Sequence, residues 1–237
     1  MLAACAAPPS RPNPGNDIDI ADAALRGGSP QIALRLVGQV LANAPTNLRA
    51  LLIQGDALNG LGQTDEAEAS YRAALAIQPS LVPAEIGLGR CVLPHDPQSA
   101  EGLFLQASIN APRNPTAFID LGVARDLMHR HADAQIAYRQ ALAVDPQQIA
   151  AQVNLALSLA MSGRGEEAVR MMRPLAEAPH ASRKLHHDFA AVLAMSGQRA
   201  EAERILSADL PPAEVAQAIA SYSSAVDQPA NALTAAP

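Results

Sequence analysis

Apolar and polar positions follow one another along this chain at the spacing of helix faces, and the pattern returns about every 34 residues. Alanine stands at Ala33, Ala67, Ala100, Ala134, Ala168 and Ala202. A bulky side chain follows each, four residues on, at Val37, Tyr71, Phe104, Tyr138, Met172 and Leu206. Twelve residues after the alanine comes Pro45, Pro79, Pro112 or Pro146, with Pro179 one place early. The residue before a proline disfavours the right-handed helical region, so each proline marks a helix end. Gly62, Gly163 and Gly197 fall where a tight turn would separate two helices of one period. Few segments show the Val/Ile/Thr alternation of strands. The pattern predicts an all-α superhelical solenoid of about six helix–turn–helix units, in which each unit packs only on its neighbours.

The unit bounds are about 14–47, 48–81, 82–114, 115–148, 149–182 and 183–210, inside a repeat region of 17–210. In the second unit Gly55 and Ala67 are small enough for its two helices to approach closely, and Tyr71 fills the gap between that pair and the next. The fourth repeats this with Gly122, Ala134 and Tyr138. The third is irregular at Leu93-Pro94-His95-Asp96-Pro97, where two prolines should shorten its first helix and open the turn. Residues 211–226 place Val215, Ala218, Ile219 and Tyr222 at helical spacing, as expected of a capping helix. Residues 227–237 read as a disordered tail.

Composition sharpens this picture. The chain has 237 residues, is 49% apolar and only 3% aromatic, and has no Trp. Alanine carries much of the apolar share; it is the best helix former and permits close helix contact. The net charge of −6 argues against non-specific nucleic-acid binding, which needs a basic footprint. No apolar run is long enough to cross a membrane as a helix. The two cysteines, Cys5 and Cys91, cannot build a disulfide scaffold. Cys91, beside Leu88, Val92 and Leu93, reads as a small buried hydrophobe.

Leu2-Ala3-Ala4-Cys5 resembles the lipobox that closes a bacterial lipoprotein signal peptide. That resemblance implies lipidation at Cys5, and Ala6 after it implies the outer membrane. The stretch Ala6 to Asn16 is rich in proline and lacks core-forming residues, as a tether between lipid and domain would be. Residues 1–16 are therefore read as anchor and tether.

The second unit, with Leu51, Gly55, Leu58, Gly62, Ala67, Tyr71, Ala74, Leu75 and Pro79, resembles the tetratricopeptide repeat. In that family the first helix of each unit lines a concave face. Carried over, the inward positions include Ile86, Arg90, Ile119, Val123, Asp126, Leu127, Val153, Leu157, Met161, His187 and Met195. This face is mostly aliphatic with methionine, suited to repacking around an apolar segment of a protein partner, amphipathic or extended. The Lys/Asn clamp of chaperone-binding relatives does not map onto it.

Other chemistry recedes. His186 and His187 are adjacent and point to different sides of a helix, and His129 and His131 lie at an inter-helix turn, so neither pair makes a metal site. Gly163-Arg164-Gly165 follows no strand and precedes no Lys-Ser/Thr, so it is no phosphate loop. No triad motif is present, and neither a cofactor nor a catalytic residue is expected.

The lipobox-like start, the repeats, and the ending Glu201-Ala202-Glu203-Arg204, then Asp209-Leu210-Pro211-Pro212, resemble the TadD-like lipoproteins of the tight-adherence (Flp) pilus. This implies a non-catalytic, pilotin-like periplasmic lipoprotein on the outer membrane, with a secretin or another pilus-assembly component as partner and membrane contact through lipid alone. A scaffold for other envelope assemblies, or a cytoplasmic adaptor or accessory domain of an enzyme system such as a glycosyltransferase, fits the repeats equally.

Overall fold

A computed structural model describes residues 14–226, with side chains from Asn16 onward. Among the described residues there are thirteen helices and no strand. Cys5, the tether to Asn13 and the tail 227–237 lie outside the described residues. The chain divides into two compact units, residues 1–91 and 92–237.

The first unit holds α1 (Pro14–Arg26), α2 (Pro30–Asn43), α3 (Leu48–Gly60), α4 (Thr64–Ile77) and nearly all of α5 (Val82–Val92). The first repeat unit, read from its second half alone, has a complete first helix, and α1 opens at Pro14, inside the stretch assigned to the tether. Proline suits a first helical position because its missing N–H has no intrahelical partner there. Ile18, Ala21, Ala33, Val37, Val40, Ala50, Ile53 and Ala57 form one core cluster. Asn47 caps α3 by accepting from the Ala50 N–H at 3.0 Å. Tyr71 of α4 is buried between the bare backbones of Gly55 and Gly87, and a Cβ on either glycine would run into its ring. Its hydroxyl donates to Asp56 Oδ1 at 2.6 Å. The expected role of Tyr71 thus holds, and Gly87 is a partner that periodicity had not singled out. Helix α5 spans 11 residues against 13 for α3, the shortening expected of the proline-broken third repeat. Cys91 is buried and free, and burial pushes its thiol up to about 11.

The second unit holds α6 (Pro97–Asn110), α7 (Pro115–Leu127), α8 (His131–Val144), α9 (Ile149–Met161), α10 (Gly165–Ala176), α11 (Arg183–Met195), α12 (Arg199–Leu206) and α13 (Pro212–Ser224). Each helix packs on the next, and alternate helices α7, α9 and α11 also touch, so the first helices of successive repeats form one wall. Asp96, Asn114 and Ser182 cap α6, α7 and α11 through side-chain oxygens. The core runs through Tyr138, Leu155, Leu159, Met172, Phe189, Val192, Leu193 and Leu206 to Val215 and Ile219 of α13. Ala218 and Tyr222 pack against the same core, so α13 closes the stack as the capping pattern predicts. Helix α10 is 12 residues long, against 14 for α6 and α8, and carries Pro174 in its interior. The described residues include no helix long and apolar enough to cross a membrane.

Candidate functional site: an apolar groove on the second unit

The wall of first helices carries a groove of about 210 Å³ between α7 and α9, lined by Val123, Asp126, Leu127, Tyr138, Asn154, Leu157 and Met161. An adjoining cavity of about 240 Å³ lies between α9 and α11, lined by Ile149, Ala150, Val153, Asn154, Ser182, Lys184, Leu185 and Asp188. Asn154 borders both.

The structure therefore gathers Val123, Asp126, Leu127, Leu157 and Met161 in one depression and places Val153 in the next. Leu127 is 54% exposed and Ile149, at the far end, is also 54% exposed. Large aliphatic side chains at that exposure beside a concave surface are available to a partner. Ile119 and Val153 are buried and belong to the core cluster that joins neighbouring helices. They serve the stack more than the open face. Met195 packs against the core, and His187 is held by Asp209, whose Oδ1 accepts from its Nε2 at 2.9 Å. Ile86 and Arg90 lie on α5 in the first unit, the first buried and the second exposed.

Asp126 differs most from its expected role as a partner contact. Its carboxylate accepts from Tyr138 Oη at 2.9 Å, from Ser158 Oγ at 2.8 Å and from His131 Nδ1 at 2.8 Å. A carboxylate accepts only, so His131 carries its proton on Nδ1. Three helices thus meet at one largely buried anion, which accepts three hydrogen bonds from within the fold. Burial, then Asp126, push the Tyr138 hydroxyl well above the usual phenol range. The network continues behind the groove: Gln135 donates to Ser162 Oγ at 2.9 Å and accepts from Arg164 at 3.2 Å.

Asn154 and Ser158 were not singled out by the sequence. Helical spacing could have found both, since each sits on the same side of α9 as Leu157 and Met161, but neither falls at the repeat positions carried over as inward-facing. His186 and His187 do diverge: the Nε2–H of His186 donates to the Ala176 carbonyl at 3.0 Å, at the truncated end of α10.

Comparison with known proteins agrees with this architecture. A family model described as the tetratricopeptide repeat matches residues 18–81 and 128–179. The uncharacterized protein y4yS of Sinorhizobium fredii is 32% identical over 136 residues, which are 57% of this chain and 70% of that protein. Among solved structures, PilW, a widely conserved type IV pilus biogenesis factor, superposes with a TM-score of 0.76 at 20% identity, over 87% of this chain and 98% of PilW. A tetratricopeptide repeat protein from Parabacteroides merdae gives 0.71 at 18% identity, over 90% of this chain and 86% of that one. TTC0263 of Thermus thermophilus gives 0.66 at 19% identity, over 76% of this chain and 98% of that one. At these identities the likeness concerns the fold, an all-α tetratricopeptide-repeat solenoid. Such repeats build scaffolds for protein–protein interaction; this chain carries tetratricopeptide repeats and belongs to one family with y4yS.

Proposed function

We propose that this protein is a non-catalytic assembly factor of a pilus or secretion apparatus, and that its second unit grips an apolar segment of an envelope partner. The observation that carries the reading is the groove: Val123, Leu127, Leu157 and Met161 present an aliphatic surface whose one carboxylate is already satisfied from inside. A partner can bury apolar side chains there without leaving a charge unpaired, and each fully buried large side chain contributes about 1.5–3 kcal/mol before the costs of association. The lipobox-like Leu2-Ala3-Ala4-Cys5 and the proline-rich stretch after it support tethering at a membrane from the periplasmic side, by lipid at Cys5. The pilus role reported for PilW, and the resemblance to TadD-like lipoproteins, favour a secretin as the partner and a pilotin-like role.

The test is co-purification from envelope fractions of cells expressing the full chain, with mass spectrometry of the bound proteins. The proposal expects a secretin, lost with a doubly substituted groove. It expects Cys5→Ala to release the chain from the membrane fraction. Recovery of partners that include no pilus or secretion component would leave a scaffold of another envelope assembly, and a Cys5→Ala chain that fractionates as wild type would remove the anchor.

A further inference from the structure

We infer that the α7–α8 turn is a proton-responsive clip on the groove floor, in which His129 and His131 take up protons and Asp126 passes the change to Tyr138 and Ser158. Two independent observations meet here. The first is backbone strain. His129 is the one non-glycine residue with positive φ among the described residues, at 57°. Gly62, Gly163 and Gly197 fill the matching slot in other repeats at 75°, 81° and 79°. A side chain in this conformation brings its Cβ against the neighbouring carbonyl, so histidine is a costly choice where glycine serves. Strain of this kind is kept where the residue does something a glycine cannot.

The second observation is where that side chain lies. The His129 ring stands edge-on to His131, with centroids 6.1 Å apart and planes at 89°. His131 in turn donates from Nδ1 to Asp126 Oδ1, with the two side chains 18% and 11% exposed. The same Oδ1 accepts from Ser158, and the other oxygen from Tyr138, whose ring walls the groove. A chain of contacts therefore runs from a strained outer turn to the floor of the groove.

The surrounding charges leave this pair as the one that responds. On α7, Arg125 is held by Glu101 at 2.8 Å, and Asp120 is a second carboxylate whose charge acts on Tyr138. In the turn, Arg130 is held by Glu101 at 2.7 Å and by Asp133 of α8 at 2.8 Å. Helix α9 brings no titratable side chain. Beyond it, Arg164 is paired with Glu167. An imidazolium at His131 makes a charge-assisted bond to Asp126, roughly twice as strong as the neutral one. When the proton leaves Nε2, Nδ1–H still donates, but less of the carboxylate's charge is neutralised. Ser158 and Tyr138 then carry a larger share, and the Tyr138 ring, held in place, reports the change through the polarisation of its hydroxyl. A second imidazolium at His129 opposes the first, so the two rings couple.

The experiment is NMR of the full chain with labelled histidine and tyrosine, titrated from about pH 5 to about pH 8, where imidazoles change charge. Tyr138→Phe assigns the Tyr138 signals, and Tyr71 and Tyr222 serve as internal references. The expected result is movement of the Tyr138 ring signals with the same midpoint as the His131 Cε1–H signal. His131→Gln should abolish that movement. His129→Gly, which suits the left-handed position and keeps the fold, should shift the His131 midpoint. A Tyr138 signal that stays flat in the wild type, that titrates with another midpoint, or that still moves in His131→Gln overturns the clip. An unchanged midpoint in His129→Gly overturns the part assigned to His129. Far-UV circular dichroism accompanies each variant, and the wild-type and His129→Gly arms decide alone if His131→Gln loses helicity.

Discussion

Tyr138 lies across the bare α-carbon of Gly122, where an added Cβ would run into its ring. The ring has no easy way aside, because its hydroxyl is tied to Asp126 and the side chain is buried. Gly122→Leu should therefore destabilise the stack by overpacking, by roughly 1–3 kcal/mol. Denaturant unfolding with an unchanged m-value is the measurement. A neutral result would show that α7 and α8 do not meet in this register.

Glu101 supplies an acid-sensitive component of stability. Burial alone would raise its carboxyl, but hydrogen bonds from Arg125 and Arg130 outweigh this and hold it below the usual range. The folded state thus binds this proton less readily than the unfolded chain. The stabilisation is complete above the unfolded value, about 4.3, and is lost as pH falls through the lower folded value. Glu101→Gln should lower stability at neutral pH by about 1.5–3 kcal/mol, the range for a charged hydrogen bond. It should also flatten the stability curve below about pH 4.3. Thermal melts across that interval, wild type against variant, give the comparison; parallel curves would mean the arginines contribute nothing through this carboxylate.

Val123→Asp with Leu157→Asp places two charges in the groove, at half-buried positions bordering the core, and leaves the buried Leu121, Leu155 and Leu159 in place. Partner capture should disappear, with helicity retained and the melting midpoint close to wild type. If capture survives, the binding surface lies elsewhere.

Ile219 of α13 is fully buried against the core of the second unit. Ile219→Ala should cost about 2–3 kcal/mol, the low end of the range for such truncations because the site is close to the chain end. Limited proteolysis should find the loss first around α12 and α13, since stability in a repeat stack is local. Uniform loss across the second unit would contradict this.

His129→Gly should raise stability by about 1 kcal/mol by relieving the left-handed backbone. A lower melting temperature would mean that the ring contact with His131 outweighs the strain.

The fold was largely legible because its determinants repeat. The alanines at Ala100, Ala134, Ala168 and Ala202 are fully buried, as are Phe104, Met172 and Leu206 four residues later. The groove was legible only in outline. Helical spacing puts Val123, Leu127, Leu157 and Met161 on one side, yet it cannot tell an open position from a buried one, and so it set Ile119, which lies in the core cluster, beside them on the concave face. Asp126 shows the deeper reason. Its donors are five, twelve and 32 residues away. Whether a carboxylate faces a ligand or closes an internal network depends on rotamers that no spacing rule encodes. The His129 turn escaped for the opposite reason: the position is the glycine slot of the repeat, and only the backbone angle shows that histidine accepts the same conformation.

The seat of Tyr71 is shared between two periods, Gly55 from the second and Gly87 from the third. This bears on how such a gene can change length. An in-frame loss of residues 82–114 would restore the alanine and proline rhythm and look silent in the sequence. It would also bring Asp120 to the place of Gly87, setting a carboxylate and its Cβ against the Tyr71 ring. The array is thus not neutral to splicing at its period: in a lineage that dropped the third repeat, Tyr71 would exchange a bare backbone for a carboxylate side chain.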